Sequence, residues 1–436
     1  MKRRKFLKTA SAAGLSLAAA PRFPAWLSTP GDTVRVAVMG LNGRGTVLAR
    51  TFARAAHAEV AYVCDVDSLV LAKGVSAVAS AQSKAPKGLG DFRKALEDKD
   101  VDALVIAAPD HWHTPAALLA MQAGKHVYVE KPCGHNPREG ELLVEAQQKH
   151  QRVVQMGTQQ RSAPRSIEVV QAIREGAIGQ PYLARAWYSN TRATIGRGKV
   201  APVPANLDYE LWQGPAPHTP YHDNVIHYNW HWFRRWGTGE ICNNGTHEID
   251  VARWALAVSY PTRVTSVGGR YHFADDWEFP DTQEACFEFA GGKTIIWQGQ
   301  SCNGLTTFGR ERGTAVLGTT GSVVMDRDGY TVYDLHNKVV RQSLASQHVD
   351  GLNTSADDDM TALHIANFVD AIRSGAALHQ PIEEGAKSVL LGHLGNIAQT
   401  TGRALRIDAA SGHITGDEEA MKSWAREYAP GWAPVV

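Results

Sequence analysis

The segment GTGEICNNGTHEID, from Gly237 to Asp250, contains residue types that can transfer protons and bind a small molecule. In a helix, Asn243 and His247 lie on one face because they are four residues apart. Histidine titrates near neutral pH, which makes His247 a candidate general base. Asn243 can only form hydrogen bonds, either to a substrate or to the histidine. Asp250 could orient the imidazole, although a salt bridge to Arg253 or a capping role would explain it equally well.

An aromatic segment, HYNWHWFRRW (227–236), directly precedes this stretch. Aromatic faces stack against the C–H faces of sugar rings, while amide and guanidinium groups bind their hydroxyls. Tyr228 and His231 are therefore candidate substrate contacts. Arg161, in VQMGTQQRS, is a third candidate because the chain leaves the first domain there. The alternative is that the tryptophans of this segment belong to a core.

The elements that position these residues begin with short apolar runs that alternate with stretches of helical period. The runs are VRVAVMG (34–40), AEVAYVCD (58–65), VDALVIAAP (101–109), KHVYVEKP (125–132) and RVVQMG (152–157). Strands and helices that alternate at this spacing predict βαβ units and a doubly wound parallel sheet of the Rossmann kind. We therefore expect a fold of the α/β class.

The loop after the first run, GLNGRG, is similar to the G-x-G-x-x-G fingerprint of dinucleotide-binding domains. Gly40 would form the tight turn, and Gly45 would let the helix pack closely on the strand. Asn42 takes the middle position and the glycine is displaced to Gly43. Together with Arg44, these residues form the predicted site for a pyrophosphate at a helix N-terminus.

Asp65 ends the second run, twenty residues after Gly45. A carboxylate there accepts hydrogen bonds from the adenosine ribose hydroxyls. No arginine follows in DVDS, and Asp65 would repel a 2′-phosphate. The pattern therefore favours NAD over NADP, while a plain helix N-cap is the alternative role for Asp65.

The second half of the chain reads differently, with alternating strands joined by turns. The strand-like segments are YLARAWYS, TRVTSVGGRYHF, QEACFEF, KTIIWQGQ and GSVVMDRDGYTVYD, with hairpin signals at AGGK and RDGY. They predict an α+β domain with an open, mostly antiparallel sheet, completed by helices around 360–373 and 383–402. The predicted divisions are a signal segment at 1–30, a Rossmann domain at 31–157 and a substrate and oligomerisation domain at 158–436. The C-terminal helices could pack back on the Rossmann domain.

Overall composition limits the partners. The formal charge of +1 predicts no nucleic-acid partner, and no 18-residue apolar run exists for membrane insertion. The five cysteines form no C-x-x-C pair and read as small buried residues. The N-terminal RRKFLK, followed by a mildly apolar run, resembles a twin-arginine export signal and predicts a periplasmic or otherwise exported protein.

Two later motifs make the resemblance specific. They are APDHWHTP (108–115) and YVEKPCG (128–134), each at the end of a predicted strand. Together with GLNGRG, GTHEIDVARWAL, GTTGSVVMDRDGY and HIANFVDAIRSG, they resemble the Gfo/Idh/MocA oxidoreductases, and the resemblance covers nearly everything after the signal. It implies NAD as cofactor, a cis peptide before Pro132, and a homo-oligomer, dimer or tetramer, formed through the C-terminal sheet.

The resemblance also implies roles for single residues. Lys131 would orient a sugar hydroxyl and help its proton leave, and His247 would take that proton as hydride passes to NAD. Asn243 stands where relatives often have aspartate, so a simple Asp–His relay is not expected. The remaining expected cofactor contacts are Pro109, Asp110, His113 and Glu130, together with Lys131 itself. His111 and His113 have no third ligand at suitable spacing, so no metal site is expected.

The expected function is an exported NAD-dependent oxidoreductase that oxidises a secondary ring hydroxyl of a sugar or glycoside to a ketone. Its cofactor would be held tightly and recycled. Two alternatives remain open. One is an NAD-dependent glycosidase that works by transient C3 oxidation and elimination, and the other is a non-catalytic sugar-binding module that retains a cofactor.

Overall fold

The computed structural model describes residues 33–344 and 359–436. The predicted export signal at 1–30 lies outside these residues. Across the described ranges, no helix combines the length and apolar character needed to cross a membrane.

A six-stranded parallel sheet forms the first layer, in the order β3-β2-β1-β4-β5-β6. Its strands are β1 (Val34–Met39), β2 (Ala58–Cys64), β3 (Lys87–Leu89), β4 (Ala103–Ile106), β5 (His126–Val129) and β6 (Val154–Met156). The connecting helices are α1 (Arg44–Arg54), α2 (Ser68–Ala79), α3 (Arg93–Leu96), α4 (Asp110–Gln122) and α5 (Pro137–His150). The prediction of a doubly wound parallel sheet is confirmed. Strand β3 was not among the predicted strands, because its three residues are largely exposed and form no apolar run.

The second sheet is open and mostly antiparallel, as predicted. Its order is β15-β14-β13-β12-β7-β10-β9-β8-β16-β17, with β11 paired to β7, and only β7 and β10 run parallel. The strands are β7 (Pro181–Thr191), β8 (Arg263–Gly269), β9 (Thr282–Phe289), β10 (Lys293–Gln300), β11 (Cys302–Asn303), β12 (Arg312–Gly318), β13 (Gly321–Met325), β14 (Gly329–Asp334), β15 (Val339–Leu344), β16 (Leu405–Ile407) and β17 (Ile414–Thr415). Burial alternates along β9 and β10, so one sheet face is packed and the other is partly exposed.

The helices of this part are α6 (Pro164–Arg174), α7 (Tyr209–Gln213), α8 (Gly239–Asn243), α9 (Gly245–Leu256), α10 (Asp359–Ser374), α11 (Ile382–Thr401) and α12 (Glu418–Met421). The two helices that bear on the site are α8 and α9, which are separated only by Asn244. Helix α9 packs across β7, β10 and β12 on the buried sheet face. A Cβ atom at Gly245 would lie 3.2 Å from the Trp297 ring, so a glycine lets the start of α9 approach the sheet closely.

Helix α10 returns to the first domain and completes its core. Ile365, Phe368 and Val369 are buried in the same cluster as the apolar residues of β1, α1 and β4. Phe368 makes edge-on contacts with Phe52 and Tyr128, at centroid distances of 6.2 and 5.7 Å. The Rossmann core therefore depends on residues from the far end of the chain.

We expect Phe368→Ala to lower the free energy of unfolding by about 3–5 kcal/mol, because it leaves a cavity among buried rings. Urea denaturation measures this change. Leu363→Ala, on the same helix but at a side chain that is 41% exposed, is the matched control and should change stability by less than about 0.5 kcal/mol. Equal effects of the two changes would contradict the packing role of Phe368.

Candidate active site

One cavity of about 450 Å³ lies at the carboxyl ends of the parallel strands. This is where open α/β sheets bind their ligands. The glycine loop after β1 and Asp65 after β2 line one end. Lys131, Asn243 and His247 line the other. The cavity thus joins the first sheet to the start of α9.

The glycine loop fits a dinucleotide because side chains are excluded from it. Gly40 has a φ of +82°, and a Cβ there would lie 2.7 Å from the Ala107 carbonyl oxygen. A Cβ at Gly45 would lie 1.7 Å from the Gly40 oxygen. Asn42 and Gly43 line the cavity just before the N-terminus of α1. Backbone amides and the helix dipole are therefore available to a pyrophosphate at this point.

Asp65 is fixed beside this loop by two backbone amides. Its Oδ2 accepts from the Leu41 amide at 2.8 Å and its Oδ1 from the Asp67 amide at 2.9 Å. Burial raises the pKa of Asp65, and these two hydrogen bonds oppose that rise. The residue does not cap α2; Asp67 does, by accepting from the amides of Leu69 and Val70. The alternative role as an N-cap is therefore wrong for Asp65.

Glu130 and Arg44 bind each other at the edge of the cavity. Arg44 Nε donates to Glu130 Oε1 at 2.9 Å, and Gln159 Nε2 donates to the same oxygen at 2.9 Å. Burial alone would raise the pKa of Glu130, but the charges of Arg44 and Lys131 lower it overall. A Cβ at Gly157 would lie 2.7 Å from this carboxylate, so Gly157 makes room for it. Both Arg44 and Glu130 line the cavity.

Pro109, Asp110 and His113 follow β4, and all three line the cavity. The His113 ring nitrogens lie 2.5 Å from the Pro132 carbonyl oxygen and 2.7 Å from that of Ala108. Thr238 donates a hydrogen bond to Asp110 Oδ2 at 2.6 Å. Burial raises the pKa of Asp110, opposed chiefly by His113. His113 therefore has a clear positioning role in addition to lining the cavity.

Lys131 reaches across the junction between the two sheets. Its peptide bond to Pro132 is cis. Its Nζ donates to the main-chain oxygen of Asn243 at 2.8 Å and to Asn243 Oδ1 at 3.0 Å. Burial lowers the pKa of Lys131, while the carboxylates of Glu130 and Asp110 act in the opposite direction.

His247 lies one turn after Asn243 and also lines the cavity. Burial lowers its pKa well below the ordinary value, and the nearby charges of Arg327, Lys131 and Arg312 lower it further. The imidazole is therefore neutral at physiological pH. Lys131, Asn243 and His247 line the same cavity, with Asn243 at the end of α8 and His247 in α9.

The aromatic segment is divided between the cavity and the core. Tyr228 and His231 line the cavity, with ring centroids 4.6 Å apart. Trp232 and Trp236 are buried in separate apolar clusters. The His231 ring stacks on Trp230 at 3.6 Å, which holds it in place. The segment therefore contributes two cavity-lining residues as well as residues of the core, and substrate contact by Tyr228 and His231 stays a prediction.

The prediction that Arg161 contacts a substrate is wrong. Its guanidinium forms a buried two-point ion pair with Asp250, at 2.7 and 2.8 Å, and lies over the Trp254 ring. Asp250 also accepts hydrogen bonds from Gln380 and Ser388. It therefore does not orient His247, and Arg253 forms its salt bridge with Glu384 instead. The spacing of residues in the sequence could not show that the side of α9 that carries Asp250 is buried against Arg161.

Several residues that line the cavity gave no signal in the sequence. Arg192, at the end of β7, donates from Nε to Glu240 at 2.8 Å and from Nη1 to the Tyr228 hydroxyl at 3.0 Å. Arg312 pairs with the buried Glu248. Such residues lie far from the motifs in sequence, and only the meeting of β7, β12 and α8 brings them to the cavity. Within residues 33–344 and 359–436, no cluster of histidine, cysteine and carboxylate side chains is arranged to hold a metal.

Residues 199–236, here called the cover segment, line the cavity and are attached to the protein next to its Asp65 end. Asn206 Nδ2 donates to Asp67 Oδ2 at 2.8 Å, and His227 Nε2 lies 3.2 Å from the same oxygen. The Ser68 amide donates to the Asn206 oxygen and the Asp208 amide to the Val66 oxygen. The cover segment is therefore fastened to the loop that follows Asp65.

A glycine cradle, a ribose-facing carboxylate and a polar cleft shared with a second sheet define a dinucleotide-dependent enzyme fold. Residues 34–158 match a model described as an oxidoreductase family with an NAD-binding Rossmann fold. Residues 186–315 match a model of the C-terminal alpha/beta domain of the same family. Together the two models cover more than half of the chain, which belongs to the Gfo/Idh/MocA oxidoreductase family. Its first domain is an NAD-binding Rossmann domain.

Solved structures resemble the fold at low sequence identity. A levoglucosan dehydrogenase in complex with NADH superposes with a TM-score of 0.66 at 17% identity, covering 86% of this chain and 99% of that one. An aldose–aldose oxidoreductase from Caulobacter crescentus, complexed with glycerol, gives 0.64 at 18% identity and covers 86% and 100%.

Curated relatives match shorter parts of the chain. A glycosyl hydrolase family 109 protein of Stenotrophomonas maltophilia is 38% identical over 140 residues, which is 31% of this chain and 30% of the relative. A protein of the same name from Shewanella pealeana is 30% identical over 209 residues, covering 43% and 46%. The chain spans less than half the length of the curated relatives it matches.

We expect Asn206→Ala to speed the release of bound NAD by on the order of ten- to a hundredfold, since a lost hydrogen bond to a carboxylate costs about 1.5–3 kcal/mol. Nicotinamide absorbance of the protein after gel filtration and timed dilution measures the release. Asn224→Ala is the matched control, because Asn224 lies in the same segment but donates to Asp276. Unchanged release in Asn206→Ala would show that the cover segment does not retain the cofactor.

Proposed function

We propose that the protein is an NAD-dependent oxidoreductase that converts a secondary ring hydroxyl of a sugar or glycoside to a ketone. The observation that carries this proposal is a single cavity that contains both the dinucleotide cradle and the Lys131–Asn243–His247 group. A cofactor cradle alone would fit many reactions. A lysine whose proton is destabilised by burial, next to that cradle, fits the oxidation of an alcohol.

NAD, when bound, supplies the hydride acceptor. The fit of the site to NAD rests on the glycine cradle and on Asp65, which would hold the pyrophosphate and the ribose. The chain's own residues then have to bind the hydroxyl, remove its proton and keep water away. Hydride passes directly from the substrate to the cofactor, and no side chain is assigned to that transfer.

We assign to Lys131 the role of accepting the proton of the substrate hydroxyl. Burial lowers its pKa, so the neutral amine becomes accessible and can accept the hydroxyl proton as hydride leaves the adjacent carbon. His247 is the weaker candidate for this step, because its strongly lowered pKa makes the neutral imidazole a poor base. The neutral ring can instead accept a hydrogen bond and orient the hydroxyl.

The substrate end of the cavity has groups that suit a polyhydroxylated ring. Tyr228 and His231 offer aromatic faces, while Arg192 and Asn244 offer donors on its wall. Arg192 and Arg312 are each paired with a buried glutamate, so these cations do not leave an unbalanced charge. Neighbouring donors and acceptors of this kind match hydroxyl groups, because a hydroxyl can both donate and accept a hydrogen bond.

A second candidate function is redox-neutral glycoside hydrolysis, favoured by the names of the curated relatives. Transient oxidation at C3 would acidify the C2 proton, and the aglycone would then leave C1 by elimination. Water would add at C1, and the C3 ketone would be reduced again. The same lysine and histidine would serve this sequence.

The setting of the enzyme is also a proposal. Export by the twin-arginine route, with the cofactor already enclosed beneath the cover segment, would avoid dependence on free NAD outside the cytoplasm. Assembly as a dimer or tetramer through the partly exposed sheet face is supported by exposed apolar side chains such as Tyr182 and Val267.

The test begins with cofactor released from the purified protein by denaturation and identified by its nicotinamide absorbance. The intact protein is then incubated with glucosides, galactosides and N-acetylhexosaminides, with and without a carbonyl acceptor. A keto-sugar supports the oxidoreductase, whereas free aglycone without net oxidation supports hydrolysis. Bound cofactor without either product would reject both and favour a binding module.

We expect Lys131→Met to reduce turnover by at least about a hundredfold, with cofactor content unchanged. Lys131→Arg should be equally impaired, because it keeps a positive charge but cannot give up its proton. Product formation under saturating substrate and bound NAD per chain are measured in parallel. Activity retained in Lys131→Arg would show that the lysine acts only as a fixed charge.

A further inference from the structure

Asn243 lies between a cation and an anion, both near its side-chain amide. Its Oδ1 accepts from Lys131 Nζ at 3.0 Å, and its Nδ2 lies 3.4 Å from Glu240 Oε1. An ammonium can only donate and a carboxylate can only accept. The amide orientation is therefore dictated by its neighbours, with oxygen toward Lys131 and nitrogen toward Glu240.

Glu240 is a buried and fully engaged carboxylate. It accepts from Arg192 Nε at 2.8 Å, from Ser301 Oγ at 3.0 Å and from Asn244 Nδ2 at 2.5 Å. Burial would raise the pKa of Glu240, but the Arg192 charge and these hydrogen bonds lower it overall. Its charge is thus stable, and its ion pair is with Arg192 rather than with Lys131.

An aspartate at position 243 would not fit this arrangement. One oxygen of its carboxylate would take the place of Asn243 Nδ2, which lies 3.4 Å from Glu240 Oε1. Two carboxylates so close resist being ionised at the same time. It would also place a negative charge about 3 Å from the Lys131 ammonium and stabilise its protonated form. An asparagine keeps the hydrogen bond to Lys131 without adding a charge.

We propose that Glu240 is a positioning residue for Lys131, acting through the Asn243 amide, and that this neutral amide is what leaves the lysine free to exchange its proton. The inference rests on the proposed function for its catalytic meaning. It concerns a carboxylate that does not line the cavity and has no direct contact with Lys131.

Other charged and titratable groups surround Lys131 on several elements. They are Glu130 after β5, Asp110 of α4, Glu240 and Cys242 of α8, Arg312 of β12, His247 of α9 and His231 of the cover segment. None of these positions changes in an Asn243 variant. A shift in the Lys131 pKa on changing Asn243 alone is therefore attributable to that residue.

The test measures the charge state of Lys131 without any substrate. The protein, with its cofactor bound, is labelled by acetic anhydride over a range of pH, and peptide mass spectrometry follows acetylation of Lys131 against the exposed Lys99. Only a neutral amine reacts. We expect Asn243→Asp to move the Lys131 labelling midpoint upward by about one to three pH units, and Glu240→Gln to move it downward because a nearby negative charge is lost.

Asn367→Asp is the control, because it makes the same change in helix α10, where Asn367 bonds to the Ala377 oxygen and the His379 amide. Its Lys131 midpoint should stay at the wild-type value. An unmoved midpoint in Asn243→Asp, or equal movement in Asn367→Asp, would overturn the inference. If Asn243→Asp does not fold, an unmoved midpoint in Glu240→Gln overturns it instead.

The pH profile of turnover separates this inference from the proposed function. With an active substrate, the rising limb of the profile should move to higher pH in Asn243→Asp by the same amount as the labelling midpoint. Labelling that shifts as expected in a protein with no sugar activity would reject the function and leave the charge arrangement standing. If the wild-type protein acts on a sugar but neither variant shifts the labelling midpoint of Lys131, the inference is rejected and the proposed function stands.

Discussion

The structure depends on the hydrogen bonds by which Lys131 joins the edge of one sheet to the helix pair of the other. Removing an ammonium from water is costly unless acceptors are supplied, and here both acceptors belong to one residue, Asn243. These bonds hold the end of β5 next to the junction of α8 and α9, and Gly245 lets α9 approach its own sheet closely beside them. The cavity exists because these elements meet at a point where neither sheet could enclose a ligand alone.

Much of this could be predicted from the sequence, because periodicity and local motifs carry the information. Continuous apolar runs that end in glycine, aspartate or proline predicted five of the parallel strands, and GLNGRG and YVEKPCG marked the edge where ligands bind. The four-residue spacing of Asn243 and His247 predicted one helical face, and both residues line the cavity although α8 ends and α9 begins between them. These are properties of neighbouring residues, which sequence patterns can express.

The rest is set by contacts between residues distant in the chain. Arg161 looked like a cleft residue because of its place after β6, but its partner Asp250 is 89 positions away. Glu240 and Arg192 come from different elements, and nothing local distinguishes them from surface charges. The aromatic residues of the cover segment stand out in the sequence, but its attachment beside Asp65 combines side-chain bonds to Asp67 with backbone bonds to Val66 and Ser68, which no local pattern indicates.

The packing of α10 has a consequence for how the chain folds as it is made. The first domain holds almost all of its strands in the first third of the sequence, yet the face of α1 and β1 stays uncovered until Phe368 arrives. During synthesis, the nucleotide-binding half would leave the ribosome long before its last core residues. Its core is therefore completed by a long-range contact, and we expect stable cofactor binding to follow synthesis of α10 rather than to precede it.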